Sequence, residues 1–325
     1  MQTKRVSMAM VAARAGVSGQ TVSRVANDSP KVDPETRARV EQAMAELGYR
    51  PNRAARALRT GRTQTIGLVA QTLATVGNSR MLQAVADAAS ARGYALTAVT
   101  LGAEGDIAEA FERLREQGVD GAIVLNEATA RLEREDAPTA GLRVVVVDSP
   151  PDTRFTVIAT DHAEGARAAV RHLLAQGHRT VHHLAGPEGS YAAAERERGW
   201  REALAEAGIA ASVPLRGDWT AASGERLAAD LPAEATAVFV ANDQMALGAL
   251  RALAASGRRI PEDVAVIGFD DVTDAAQYRP ALTTVRQDFD VLGERALALL
   301  IGMIEGAEAS VDERLAPELV LRESA

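Results

Sequence analysis

The spacing of apolar residues divides the chain into a short helical head and a long body. Over residues 8–47, apolar side chains recur at intervals of three and four residues, which predicts three short amphipathic helices. From Thr65 onward, short apolar runs alternate with amphipathic segments that end at glycine. This alternation is the βαβ rhythm of parallel, doubly wound sheets. The pattern therefore predicts an all-α head followed by an α/β body.

The rhythm of the body predicts individual elements. The predicted strands are 66–70, 95–100, 122–125, 144–147, 181–184, 237–240, 264–268 and 315–321. The predicted helices are 81–92, 107–117, 163–176, 196–207, 245–256 and 292–304. Because this stretch is too long for one such sheet, we expect two lobes of similar size.

These patterns predict the following domain organisation. The head covers residues 1–49, a linker covers 50–62, and the body covers 63–325. Lobe one is expected at about 63–159 and 289–314, and lobe two at about 160–288 and 315–325.

The head carries the local signals of a helix-turn-helix. Gly16 supplies the permissive backbone of the turn, and Ser18 is a natural N-cap for the second helix. Asp33 caps the third helix, which has Pro34 in its first turn and ends at Gly48. The outer face of the second helix is rich in hydrogen-bond donors and carries no acid, which suits a surface that meets phosphates and base edges. The alternative is a small helical bundle with an incidental polar face.

The distribution of charge supports contact with nucleic acid. Residues 1–62 hold 12 Lys or Arg and 5 Asp or Glu, a net charge of +7, whereas the rest of the chain has a net charge of −15. A basic head on an acidic body is the electrostatic footprint of a nucleic-acid-binding module.

Composition excludes several other classes. The chain has no cysteine, so it has no disulfide framework and no thiolate metal site. No run is long enough to span a membrane and no signal peptide is evident, so we expect a cytoplasmic protein without membrane contacts. The five histidines show neither metal-ligand spacing nor a catalytic triad. We therefore expect no metal, no cofactor and no enzymatic activity.

Polar side chains follow several predicted strands of the body. Asp148, Asn242 and Asp270 each stand at or just beyond a strand end, and ligands of doubly wound folds bind beyond the carboxyl ends of strands. Arg196, Trp219 and Gln287 add a cation, a ring and an amide. Such a set suits a neutral polyol, which needs directional hydrogen bonds and one flat apolar wall. Taken singly, each aspartate can equally be a helix cap and Trp219 a core residue.

Five segments together resemble the LacI/GalR family of transcriptional regulators. They are V-S-G-Q-T-V-S-R-V (17–25), A-M-A-E-L-G-Y-R-P-N-R (43–53), G-D-W-T-A-A-S-G (217–224), V-A-N-D-Q-M-A-L-G-A (240–249) and L-T-T-V-R-Q-D-F (282–289). The resemblance covers about residues 6–321. It implies a body like the periplasmic sugar-binding proteins, with two α/β lobes, crossover connections and a ligand in the cleft between them.

The resemblance also implies where DNA is contacted. Gly19, Gln20 and Arg24 match base-reading positions, and glycine at 19 removes a reading side chain that other members have. The DNA contacts of the head are therefore expected at Ser18, Gly19, Gln20, Thr21, Ser23, Arg24 and Asn27.

In the linker, four residues match the family's hinge helix, in which a leucine wedges into the minor groove. They are Asn52, Arg53, Ala55 and Leu58. The alternative is a basic linker without a fixed structure, with Leu58 packed on the body.

The family's effector cleft matches the polar set and adds apolar wall positions. The expected effector-binding residues are Met81, Asp148, Arg196, Trp219, Asn242, Asp270, Gln287, Phe289 and Leu292. Thr75 and Asn78 match less well. The wall pattern indicates a galactoside or a related glycoside.

The family resemblance predicts a repressor that binds a pseudopalindromic operator as a dimer and is released by a small sugar. Because the sequence ends at Ala325, directly after the last predicted strand, we expect a homodimer rather than a tetramer. Three alternatives remain open: a corepressor-dependent regulator of the same family, a sugar-binding protein without a role in gene control, and a sugar-processing enzyme.

Overall fold

A computed structural model describes residues 6–26, 29–49, 61–102, 104–134, 139, 141–151, 154–307 and 312–325. The chain forms two compact units, Met1–Thr63 and Gln64–Ala325. None of the helices in these ranges is long and apolar enough to cross a membrane.

The first unit contains the predicted helix-turn-helix. Its helices are α1 (Met8–Ala15), α2 (Gly19–Ala26) and α3 (Pro34–Leu47). Gly16 has a φ of +65°, which favours glycine, and the Ser18 hydroxyl accepts a hydrogen bond from the Thr21 amide at 3.1 Å. Asp33 caps α3 through the Thr36 amide at 2.9 Å. The predicted turn and caps are therefore confirmed.

The second unit contains two six-stranded sheets. The strands of the first are β1 (Thr65–Ala70), β2 (Ala95–Thr100), β3 (Gly121–Leu125), β4 (Arg143–Val147), β5 (Thr156–Thr160) and β11 (Asp312–Leu315). Those of the second are β6 (His182–Ala185), β7 (Leu215–Arg216), β8 (Ala237–Val240), β9 (Ala265–Asp270), β10 (Thr283–Arg286) and β12 (Glu318–Val320). The strand orders are β11-β5-β4-β3-β1-β2 and β12-β10-β9-β8-β6-β7, and only β12 runs antiparallel to its neighbour.

Helices cover both sheets. They are α4 (Val76–Ala91), α5 (Ile107–Glu116), α6 (Thr129–Arg134), α7 (His162–Ala175), α8 (Tyr191–Glu206), α9 (Ala221–Ala229), α10 (Asp243–Ala255) and α11 (Phe289–Glu305), with short 3₁₀ turns at Asn126–Ala128 and Ala275–Gln277. On each side of each sheet a separate apolar cluster is buried. This is the predicted doubly wound α/β architecture.

The predicted strand 315–321 is wrong as a single element. Residues of this segment belong to two short strands, because β11 pairs with β5 of the first sheet and β12 pairs with β10 of the second. Pro317 stands between them and has no amide hydrogen with which to continue a ladder. The chain crosses from one sheet to the other at this point, as it also does after β5 and after β10.

Two helices begin earlier than predicted. α4 begins at Val76 rather than at residue 81, and α8 at Tyr191 rather than at residue 196. In each case a hydroxyl side chain caps the true first turn: Thr75 bonds the Asn78 amide, and Ser190 bonds the Ala193 amide.

Candidate functional site

A cleft lies between the carboxyl ends of the two sheets of the second unit. Residues from strand ends, adjoining turns and helix starts of both sheets line it: Thr75, Gly77, Asn126, Glu127, Asp148, Ala192, Arg196, Trp219, Asn242, Asp270, Gln287 and Phe289. The carboxyl ends of parallel strands are the usual place for ligands in such folds.

The structure brings seven of the nine predicted effector residues together in this cleft. The other two, Met81 and Leu292, are fully buried in the apolar cluster that also contains Phe289. Their side chains belong to this core and do not line the cleft. Thr75, which matched the family less well, is part of the lining.

Arg196 lies at the centre of the polar wall. It projects from α8, is almost fully buried, and its Nη2 atom lies 3.2 Å from Oδ1 of Asp270. Its Nη1 atom donates to the carbonyl of Ala241, and its Nε atom donates to Nδ1 of His162 at 3.4 Å. The flat side of the guanidinium lies 3.8 Å from the ring centroid of Phe269. Four groups therefore fix the direction of this cation.

Asp148 provides a buried carboxylate on the other side of His162. Its Oδ1 atom lies 2.9 Å from Nε2 of His162 and accepts the Thr160 amide at 3.1 Å. Burial by itself raises the pKa of Asp148, but His162, the Thr160 amide and Arg196 outweigh burial and hold the pKa below its ordinary value. Asp148 is thus ionised at neutral pH and acts only as a hydrogen-bond acceptor.

Asp270 shows the opposite balance. Burial raises the pKa of this carboxyl above its ordinary value, although Arg196 and Gln287 oppose the shift. Gln287 donates to Oδ1 of Asp270 at 2.6 Å and accepts from the Thr160 hydroxyl at 3.1 Å. Behind them, burial and the nearby Asp270 raise the pKa of Asp243 well above its ordinary value.

Trp219 supplies the predicted aromatic surface. Its ring lies against Gly186, where a Cβ atom would stand only 2.3 Å from the ring. Its carbonyl accepts a hydrogen bond from Nδ2 of Asn242 at 3.1 Å, while Oδ1 of Asn242 caps α10 through the Met245 amide. Phe289, the first residue of α11, lines the cleft as well. The cleft therefore offers flat apolar surface beside directional polar groups, as a sugar site requires.

Unusual backbone conformations concentrate in the cleft. Six described non-glycine residues have a positive φ, and four of them line it: Asn126, Asp148, Trp219 and Asp270. Each such conformation costs on the order of 1–3 kcal/mol in a non-glycine residue, and strain of this kind clusters at ligand sites. This clustering singles out the cleft independently of any resemblance.

The cleft contains a residue that the sequence did not assign to it. Glu127, in the turn after β3, accepts a hydrogen bond from Nε1 of Trp219 at 3.2 Å and so joins the two sides of the cleft. The neighbouring Asn126 donates to Oδ1 of Asn78. The buried His162, which is not part of the lining, lies between Asp148 and Arg196. Within the described ranges, no group of three or more His, Asp or Glu could hold a metal ion.

In the first unit, the outer face of α2 presents the predicted DNA-contacting side chains. Ser18, Gly19, Gln20 and Arg24 are exposed, Thr21 and Ser23 are partly exposed, and Val22 and Val25 point into the small core. Asn27 and the hinge residues Asn52, Arg53, Ala55 and Leu58 lie outside the described residues.

Comparisons with known proteins cover both units. Residues 7–52 match the bacterial regulatory proteins of the lacI family, and residues 170–325 match a periplasmic binding protein-like domain. The chain is 36% identical to the lactose operon repressor of Escherichia coli (strain K12), covering 99% of this chain and 91% of the repressor. It is 39% identical to the transcriptional regulator CelR of Thermobifida fusca, covering 99% of this chain and 98% of CelR.

Solved structures agree with these matches. The lac repressor dimer bound to operator and the anti-inducer ONPF superposes with a TM-score of 0.85 at 35% identity, covering 99% of both chains. The CelR–cellobiose complex superposes with a TM-score of 0.73 at 37% identity, covering 99% of this chain and all of that one.

Proposed function

The chain belongs to the LacI family of bacterial regulatory proteins, and we propose that it is a dimeric repressor released from its operator by a small sugar. Its relatives are transcriptional regulators and not enzymes. The lac repressor of the similar structure is a dimer on operator DNA, and CelR is seen with cellobiose. We propose the same kinds of partner for this chain, acting in the cytoplasm where the DNA is.

The observation that carries the proposal is the cleft. Seven predicted effector residues converge there, and they combine one guanidinium, two carboxylates, two amides and two aromatic rings. A buried ion pair fixes the cation, and Gly186 admits the indole ring. Groups held in this way are suited to recognise the hydroxyls and the apolar face of a glycoside. We propose a galactoside or a related glycoside as the effector.

The proposed mechanism is a linkage between cleft and operator. Two heads bind the two halves of a pseudopalindrome, because the symmetry of a dimer imposes two-fold symmetry on its site. A sugar that binds the cleft changes the position of one lobe relative to the other and lowers affinity for DNA. By thermodynamic reciprocity, operator DNA weakens sugar binding by the same factor.

The proposal is tested by selecting duplexes from a random-sequence library on the full chain at near-physiological salt, with and without a panel of glycosides. We expect enrichment of one pseudopalindrome and loss of binding when one sugar is added. Calorimetric titration of that sugar, with and without saturating operator, gives the factor by which operator weakens sugar binding. This factor must equal the one by which saturating sugar weakens operator binding. Enrichment that requires a sugar would reverse the sign and identify a corepressor, and no enrichment under any condition would refute the repressor.

A further inference from the structure

Glu127 lines the cleft but is not among the effector-binding residues predicted from the sequence. It lies in the 3₁₀ turn Asn126–Ala128, directly beyond the carboxyl end of β3, and is partly buried. Its Oε1 atom accepts the hydrogen bond from Nε1 of Trp219 at 3.2 Å. The bond joins Glu127, which follows strand β3 of the first sheet, to Trp219, which follows strand β7 of the second sheet.

Trp219 is the fixed partner of this contact. Its backbone has a φ of +72°, its carbonyl is bonded by Asn242, and its ring fills the space beside Gly186. Within the described chain, the bond to Trp219 occupies only one of the two oxygens of Glu127. The second oxygen is therefore available as an acceptor for a ligand hydroxyl.

The charges that line the cleft do not balance. Glu127, Asp148 and Asp270 contribute three carboxylates, and Arg196 contributes the one guanidinium of the described lining. That guanidinium is already committed to Asp270 and to the Ala241 carbonyl. Asp148 is ionised at neutral pH, since its pKa lies below the ordinary value.

The cation beside the cleft is committed as well. The guanidinium of Arg80 lies 5.9 Å from the ring centroid of Phe289, 3.8 Å from Asp290, and within 3.3 Å of the Thr273 hydroxyl. A phosphate or carboxylate in the cleft thus faces three carboxyl groups and has to compete for both guanidinium groups. Like-charge juxtaposition of this kind disfavours binding and is a common basis of specificity.

We propose that Glu127 is a specificity-determining residue, which accepts hydroxyls of an uncharged sugar and excludes sugars that carry a carboxylate or a phosphate. This inference rests on the proposed function, since it concerns the ligand class of the same cleft. The residue that selects against anions then lies on the first-sheet side of the cleft. It is not among the effector-binding residues predicted from the sequence.

The test uses sugar pairs that differ only in charge. They are p-nitrophenyl β-galactoside with its galacturonide, and p-nitrophenyl β-glucoside with its glucuronide, titrated calorimetrically into the full chain. We expect the wild-type protein to bind the neutral member of a pair at least about tenfold more tightly. In Glu127→Gln, which keeps an acceptor for Trp219 but removes the charge, we expect this ratio to fall about fivefold or more.

Glu116→Gln is the matched control. It removes the same charge from the exposed end of α5, ahead of β3, whereas Glu127 follows the carboxyl end of that strand. This variant should keep the wild-type ratio, and all three proteins should unfold at the same urea concentration. A ratio that is unchanged in Glu127→Gln, or a wild-type protein without preference, would overturn this inference alone. If no member of either pair binds to the wild-type protein, the inference falls together with the proposed glycoside effector.

Discussion

The Nη2 atom of Arg196 lies 3.2 Å from Oδ1 of Asp270, and the two side chains are only 4% and 6% exposed. The pair connects α8 to the end of β9 within the lining of the cleft. A buried charge is tolerated only while its partner remains, because desolvation of the lone ion is not repaid.

Replacing Asp270 with alanine should therefore destabilise the body strongly. Breaking a buried ion pair from one side costs about 3–5 kcal/mol of unfolding free energy, since the other charge stays buried without its partner. Urea denaturation followed through tryptophan emission measures this change. Glu109→Ala, which breaks the exposed pair with Arg113 on α5, should cost no more than about 0.5 kcal/mol. Equal losses in the two variants would contradict the role of the buried pair.

Gly186 is expected to control the position of Trp219. An alanine Cβ at this position would lie 2.3 Å from the ring, so in Gly186→Ala the indole must move away from the floor of the cleft. We expect sugar affinity to fall about tenfold, or 1.4 kcal/mol, because the aromatic wall is displaced. Iodide quenching of tryptophan emission should increase, since Trp200 is fully buried and Trp219 is the partly exposed one.

The control for this variant is Gly302→Ala. It lies in α11, where the nearest atom to a new Cβ is 3.8 Å away. Alanine there should be neutral or slightly stabilising, with unchanged quenching and affinity. Wild-type quenching in Gly186→Ala would contradict the prediction, because it would show that the indole ring can move without becoming more exposed.

Elements with local signals were predictable from the sequence. The caps at Ser18 and Asp33 and the turn at Gly16 depend on neighbouring residues only, and the structure confirms them. The division of segment 312–320 into two strands was not predictable, because each half pairs with a strand that is distant in sequence. β7 has only two residues, too few for a periodic pattern.

The residues of the cleft, likewise, could be predicted from the sequence only in part. Asp148, Asn242 and Asp270 could be placed from strand ends alone, since parallel strands align their carboxyl ends. Glu127 gave no such signal, because its meaning comes from a contact with Trp219, which is 92 residues away. The apolar positions 81 and 292 matched the family, but helical packing turns both side chains into the core.

The stability of the protein should depend on pH through Asp243. Burial raises the pKa of this carboxyl well above its ordinary value, so the native state binds a proton that the unfolded state releases. The stability from this group is present at pH values below about 4 and declines as the pH rises toward the elevated pKa.

Asp243→Asn removes this dependence. In the wild-type protein, Asp243 accepts bonds from the Thr284 hydroxyl at 2.6 Å and from the Val272 amide at 2.9 Å. The variant amide carries a donor at one of these two positions, as the protonated carboxyl does, so any cost of that donor does not change with pH. Relative to the wild-type protein, the variant should gain stability as the pH rises from 4 to 7. Urea titrations across this range measure the difference, with Asp87→Asn controlling for the lost carboxyl. Parallel curves for Asp243→Asn and the wild-type protein would contradict the prediction.

Two neighbouring residues on the exposed face of α2 are expected to make different contacts with DNA: Gln20 reads a base, and Thr21 contacts a phosphate. Gln20 is exposed and uncharged, so Gln20→Ala should lower affinity for the selected operator by about 1–3 kcal/mol and relax the preference at one base pair. Its affinity for random duplexes should not change, because those complexes rest on backbone charge. Thr21→Ala, one residue along and predicted to contact phosphate, should weaken binding to both kinds of duplex by the same factor. Fluorescence anisotropy titrations with both duplexes at one salt concentration decide the matter. If Gln20→Ala weakens binding to random duplexes as much as to operator, Gln20 contacts the backbone, and the base-reading surface must be sought elsewhere on the helix.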